Sequence, residues 1–198
     1  LATLSSNHHE RVVPVIQILN TYFQRLDIPT GAPKSEGGVN LTSDHKIKWP
    51  EELVKKYPFA GIYTPDAPDA VKIYRQILSR ADEKSITICS IGFLTNLRDL
   101  LVSGPDEYSD LTGTELVAQK VKLLVAMAGR FPSGREYNVY KDAAAGQYAI
   151  NEWPTEIIFS GWEIGSKILT GKKTMEMEIK DSPVKDVFRI CLIERDFE

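Results

Sequence analysis

Ile86-Thr87-Ile88-Cys89-Ser90-Ile91-Gly92-Phe93-Leu94-Thr95-Asn96-Leu97 reads as a strand, a glycine turn and the start of a helix. Five of the first six residues are apolar or β-branched, without strict alternation, the pattern of a strand in a sheet covered on both faces. Gly92 interrupts the run, and Thr95-Asn96 can satisfy the free N–H groups of a first helical turn.

Three more apolar runs, Leu1 to Ser5, Leu123 to Met127 and Glu156 to Ser160, read as strands. Between the runs lie helical periods: Val12, Val15, Ile16, Leu19 and Phe23; Ala70, Ile73, Tyr74 and Ile77; Leu94, Leu97, Leu100 and Leu101. Strand alternating with helix predicts a three-layer α/β fold, a mostly parallel sheet with helices on both faces. The four runs are expected as parallel neighbours in one sheet. The 198 residues, 42% apolar and 26% charged, suffice for one core, so residues 1–198 are expected as a single domain. Residues 29–50, rich in Gly, Pro, Lys and Ser, are expected as a long loop or lid. Thr170 to Lys185, with its Met-Glu-Met-Glu alternation, is expected as an edge strand or hairpin.

The formal charge is −3, and Lys and Arg cluster no further than the pairs Lys55-Lys56 and Lys172-Lys173. That leaves no footprint for a polyphosphate, and no nucleic-acid partner is expected. Cys89 and Cys191 suggest neither a disulfide framework nor a metal spacing. No run of about 18 apolar residues could span a membrane. The protein is therefore expected to be soluble, either cytoplasmic or exported after loss of a signal. Because the chain opens at Leu1 without Met, a longer parent is expected.

In a parallel α/β sheet, ligands bind outside the carboxyl ends of the strands. The residues there are unusually polar or small: Ser5-Ser6-Asn7-His8-His9-Glu10 after the first run, Ser90-Ile91-Gly92-Phe93-Leu94-Thr95-Asn96 after the second, and Ala128-Gly129-Arg130 after the third. All should converge on one edge.

The stretch Ile91-Gly92-Phe93-Leu94-Thr95-Asn96 resembles the Thr-Gly-Pro-Leu-Thr-Asn signature of nucleoside hydrolases. Val121 to Gly129 is similar to that family's strand ending in Met-Gly-Gly. Glu136-Tyr137-Asn138, followed by Asp142-Ala143-Ala144-Ala145, resembles its Glu-Phe-Asn and Asp-Pro-Glu-Ala-Ala. The likeness runs from the first strand to about residue 165. It implies a nucleoside hydrolase-like, Rossmann-like fold and an N-glycosidase that splits a small-molecule nucleoside into base and ribose with a calcium-activated water. Position by position, the resemblance makes the backbone carbonyl of Ile91 a calcium ligand. It sets Met127 against the ribose, gives Glu136 and Asn138 the ribose hydroxyls, and puts the Asn7 amide near the sugar. The family's homo-oligomeric assembly carries over as an expectation.

The family's Asp-x-Asp-x-x-x-Asp-Asp run, source of most metal carboxylates and of the general base, has no counterpart here. The late Asp that closes the calcium shell is expected beyond Glu198. These residues are therefore expected to be the central portion of the family's domain. The alternative is a non-catalytic nucleoside- or sugar-binding relative that has lost its metal.

Other residues keep plainer readings. Glu136 and Asn138 can form a surface turn, but as site residues they should matter for turnover and little for folding. Asp142 is expected to cap the helix that follows. His8-His9-Glu10 reads as a solvated helix start, because adjacent residues do not face one another. His45, in Ser43-Asp44-His45-Lys46, can be a general acid or an ordinary loop histidine. Trp162-Glu163 is either a site pair or a core tryptophan beside an exposed acid.

Overall fold

A computed structural model of the chain describes residues 1–36, 38–41 and 48–194, the last two without their side chains. His45 and its neighbours lie outside the described residues. In order, the elements are β1 (Thr3–Leu4), α1 (Val12–Tyr22), β2 (Thr30–Gly31), α2 (Trp49–Lys56), α3 (Ala70–Arg80), β3 (Ile86–Ser90), α4 (Thr95–Val102) and α5 (Gly113–Lys120). They continue with β4 (Val121–Ala126), α6 (Tyr137–Tyr140), α7 (Ala143–Glu152), β5 (Glu156–Phe159), α8 (Trp162–Gly165), α9 (Lys172–Glu176) and α10 (Pro183–Arg189). The chain divides into two compact units, one of Leu1–Ala32, Asn40–Ala67 and Leu169–Glu198, the other of Pro33–Val39 and Pro68–Ile168.

In the first unit β1 and β2 pair in parallel, Thr3 with Thr30 and Leu4 with Gly31. The expectation of one four-stranded sheet is corrected here: β1 takes its partner from the chain just beyond α1, and β3, β4 and β5 form a separate sheet. The segment 29–50 thus opens with a strand and ends by entering α2. A two-residue strand has no period, so the loop-like composition around it hid it. The core joins Val15 and Ile18 of α1, Leu53 of α2 and Ile190 beyond α10. The N-terminus of α1 lacks a cap of its own; the buried Thr64 hydroxyl accepts the N–H of Val13 at 3.1 Å instead. The expected strand over Thr170 to Lys185 is also corrected, since α9 and α10 occupy that stretch. Ser182 accepts the N–H of Lys185 and Pro183 opens α10, a helix start that outweighs the two-residue alternation before it.

The second unit is a parallel sheet in the order β3-β4-β5, with Ser90 opposite Ala126 and Ala126 opposite Phe159 at its carboxyl end. Ile88, Leu124 and Ala126 pack with Leu97, Leu100 and Leu101 of α4, Leu116 and Val117 of α5, and Ala149 of α7. Thr87 and Cys89, on the other face of β3, are exposed. The helix starts are strongly capped: Asp69 on α3, a Thr112–Glu115 capping box on α5 and Asp142 on α7. Gly113 is required by contact, because a Cβ there would fall 1.6 Å from the carbonyl oxygen of Leu100.

Arg75 of α3 is 1% exposed and anchors the segment after α4. Its guanidinium donates to Ser103 Oγ at 3.0 Å and to the carbonyls of Ser109 at 3.0 Å and Leu111 at 2.9 Å, and it pairs with Asp106 at 2.8 Å. Burial opposes ionisation of Asp106. The hydrogen bonds from Arg75 and from the N–H groups of Tyr108 and Ser109 outweigh it and hold the carboxyl below its usual range. With the folded-state value depressed, the stabilisation is present above the unfolded value of about 3.9 and is lost as pH falls through the folded one. Asp106→Asn leaves a buried guanidinium without its counter-charge, so we expect a loss of about 3 kcal/mol at neutral pH that shrinks in acid. Urea unfolding at pH 7 and pH 3 checks both; an equal loss at the two values would mean that the charge contributes nothing.

Candidate functional site

The carboxyl end of the three-stranded sheet gathers the predicted residues of the second unit. The N–H of Met127 donates to Ser90 at 2.8 Å and that of Ser160 to Ala126 at 2.8 Å, so the pairing continues to the last strand residues. Ile91 and Met127 therefore leave adjacent strands at one end. Ile91 is 85% exposed. Behind it Phe93 turns inward and its ring meets that of Tyr137 at 6.0 Å.

After β4 the chain turns at Gly129 (φ +81°), passes residues 130–135 and returns at Glu136. The Glu136 carboxylate accepts the N–H groups of Gly129 at 3.2 Å, Asn138 at 3.0 Å and Val139 at 3.2 Å. It caps α6 and also holds the end of β4. Asn138 reaches the same place: its Nδ2 donates to the Met127 carbonyl at 3.0 Å and lies 3.1 Å from the Met127 sulfur. Met127, Glu136 and Asn138 thus form one hydrogen-bonded group beside Ile91.

The burial of Glu136, only 4% exposed, corrects the expectation that this residue has little weight in folding. Its spacing to Asn138 was legible, but its use as an acceptor for three backbone groups was not, because sequence does not show where a carboxylate points. Asp142 caps α7 as expected, accepting the N–H of Ala145 at 3.2 Å, and also accepts the buried Thr95 hydroxyl at 2.6 Å. That second bond, joining the starts of α4 and α7, was not anticipated; the Thr95-Asn96 signature is its only trace in the sequence.

Trp162 is not a core residue. It is 45% exposed, with the Arg130 guanidinium 4.4 Å from its ring centre. Glu163 accepts the N–H of Phe131 at 3.1 Å, and the Trp162 N–H donates to the Gly129 carbonyl at 3.0 Å. The loops after β4 and β5 are therefore stitched together.

Asn7 belongs to the first unit. Its Oδ1 accepts the N–H groups of His9 at 2.9 Å and Leu41 at 3.2 Å, and Ser5 Oγ donates to its carbonyl at 2.8 Å. The side chain builds the turn into α1. His9 Nδ1 accepts the N–H of Arg11 at 3.3 Å, and Glu10 pairs with Arg11; both belong to the helix start.

Calcium does not fit this set of side chains. Glu136, Asp142 and Glu163 are each committed to N–H or O–H donors, and among the described residues no three His, Cys, Asp or Glu are grouped to hold a metal.

No family model matches the sequence, and no curated protein does. The fold does have a counterpart. A plant nucleoside hydrolase superposes with a TM-score of 0.60 at 20% identity, over 94% of this chain. The chain spans 63% of that protein's length. With its parallel sheets and flanking helices, it has an α/β nucleoside hydrolase-like fold.

Glu136→Gln sets an amide NH2 against backbone N–H donors, so we expect a loss of about 1–3 kcal/mol in folding stability, read as a lower melting temperature. An unchanged melting curve would return Glu136 to the surface. Calorimetric titration of the 198 residues with calcium should give weak binding or none; a tight stoichiometric isotherm would show that ligands have been overlooked.

Proposed function

We propose that the parent protein is a nucleoside hydrolase-like N-glycosidase, cleaving the N-ribosidic bond of a nucleoside to free base and ribose, and that Met127, Glu136 and Asn138 form the ribose end of its site. The observation that supports this most is the joining of those three residues at the carboxyl end of β4, in a fold shared with a nucleoside hydrolase. Asn138 spends its amide N–H groups on Met127, and its Oδ1 has no partner among the described residues. It is free to accept a ribose hydroxyl. Glu136 has three donors, and a carboxylate has room for about one more. A bond that tightens as the ring flattens toward the oxocarbenium state would favour cleavage. The Ile91 carbonyl, at the same strand end, belongs to the proposal as one oxygen of a calcium site whose carboxylates this edge does not supply.

A second reading, a nucleoside- or sugar-binding relative without catalysis, is favoured by one observation: every carboxylate at this edge is committed to the protein itself. Both readings share the ribose contacts. Homo-oligomeric assembly is part of the proposal. No helix among the described residues is long and apolar enough to cross a membrane.

Asn138→Ala removes a neutral acceptor and should lower kcat/KM for uridine or inosine, followed by base release in the parent protein, about tenfold. Equal turnover by the variant excludes Asn138 from the site. Binding of both nucleosides without release of base by the wild type selects the second reading.

A further inference from the structure

Residues 130–141 carry Arg130, Arg135 and Lys141 against one carboxylate, Glu136, in a chain whose formal charge is −3. The Glu136 carboxylate is buried and turned to backbone N–H groups. The three cations have no acid partner among the described residues. They rest on aromatic rings: Arg130 on Trp162, Arg135 4.3 Å from the Tyr140 ring centre, and Lys141 5.3 Å from that of Tyr137 and 5.8 Å from that of Tyr140. Four such contacts fall within residues 130–162, where the usual frequency of about one per 70–80 residues would place fewer than one.

Arg135 and Lys141 flank the turn of α6 that carries Asn138. Arg135 lies over Tyr140 and Lys141 over both rings of the pair Tyr137–Tyr140, whose centroids are 5.6 Å apart at 86°. Tyr137 and Tyr140 are 44% and 37% exposed. Both tyrosines belong to the single turn of α6 that Glu136 caps and that contains Asn138. A guanidinium and an ammonium steadied on ring faces, without a carboxylate to neutralise them, suit an anion with several acceptor oxygens. One phosphate asks for only such a pair, so the absence of a longer basic run does not exclude it.

We propose that the ligand of this site is phosphorylated, a nucleoside monophosphate whose ribose is held by Glu136 and Asn138 and whose phosphate is bound by Arg135 and Lys141. The assignment rests on the ribose reading above. Its distinctive consequence is a preference for the phosphorylated over the plain nucleoside.

The test measures the affinities of the full-length protein for uridine, uridine 5′-monophosphate and uridine 3′-monophosphate at low and moderate salt, for the wild type and for Arg135→Ala/Lys141→Ala. Charge-assisted bonds to phosphate should make at least one monophosphate bind roughly ten- to a hundredfold more tightly than uridine. The preference should weaken with salt and fall to about one in the double variant. Uridine binding with no preference for either monophosphate overturns the phosphate site and leaves the ribose reading standing. A preference that survives the double variant overturns the assignment to Arg135 and Lys141. No binding of uridine or either monophosphate overturns the ribose reading and this inference together. Circular dichroism of the variant, both of whose substitutions lie at exposed positions, should match the wild type.

Discussion

A single carboxylate, that of Glu136, satisfies three backbone N–H groups that come from two directions. Two of them open α6, where every helix leaves its first N–H groups without partners. The third belongs to Gly129, just beyond β4. Joining them closes residues 129–138 into a loop whose ends are fixed to the sheet, and everything at this edge takes its position from that closure. Asn138 reaches the Met127 carbonyl because α6 starts where Glu136 puts it. The Trp162 N–H finds the Gly129 carbonyl on the same turn, so the loop after β5 inherits the geometry too.

This arrangement gives one residue two duties, and the carboxylates around it behave alike. Asp142 caps one helix and ties it to another through Thr95, and Glu163 holds the N–H of Phe131. An anion spent on backbone donors is rigid and well placed. It also has little left to give to a cation. The edge therefore presents an ordered set of polar groups of mainly local use, with exposed rings and cations at its rim.

The sheet of the second unit was legible because β3, β4 and β5 coincide with continuous apolar runs, which composition marks without any partner being known. The cap at Asp142 was legible for the same kind of reason: a short acceptor directly before Ala143-Ala144-Ala145 has one obvious use. What failed to appear in the sequence was direction and pairing. The partner of β1 is a two-residue strand inside a stretch of Gly, Pro and Lys, and α9 with α10 lies beneath an alternation that mimics a strand. The amide of Asn7 and the carboxylate of Glu136 stood out through the family resemblance, as polar groups beside a sugar. Their bonds to nearby N–H groups depend on loop geometry that residue types alone do not specify.

Arg75 stands where a neighbouring strand or helix would ordinarily supply hydrogen bonds. By giving its donors to the carbonyls of Ser109 and Leu111, to Ser103 and to Asp106, it makes an irregular segment depend on a side chain from α3. Such a segment does not open cheaply by fraying from one end, because release of any part leaves a buried guanidinium short of its partners. Its opening is thereby coupled to that of α3, so that loop and helix form one cooperative unit of the native state, with amide exchange governed by a shared opening.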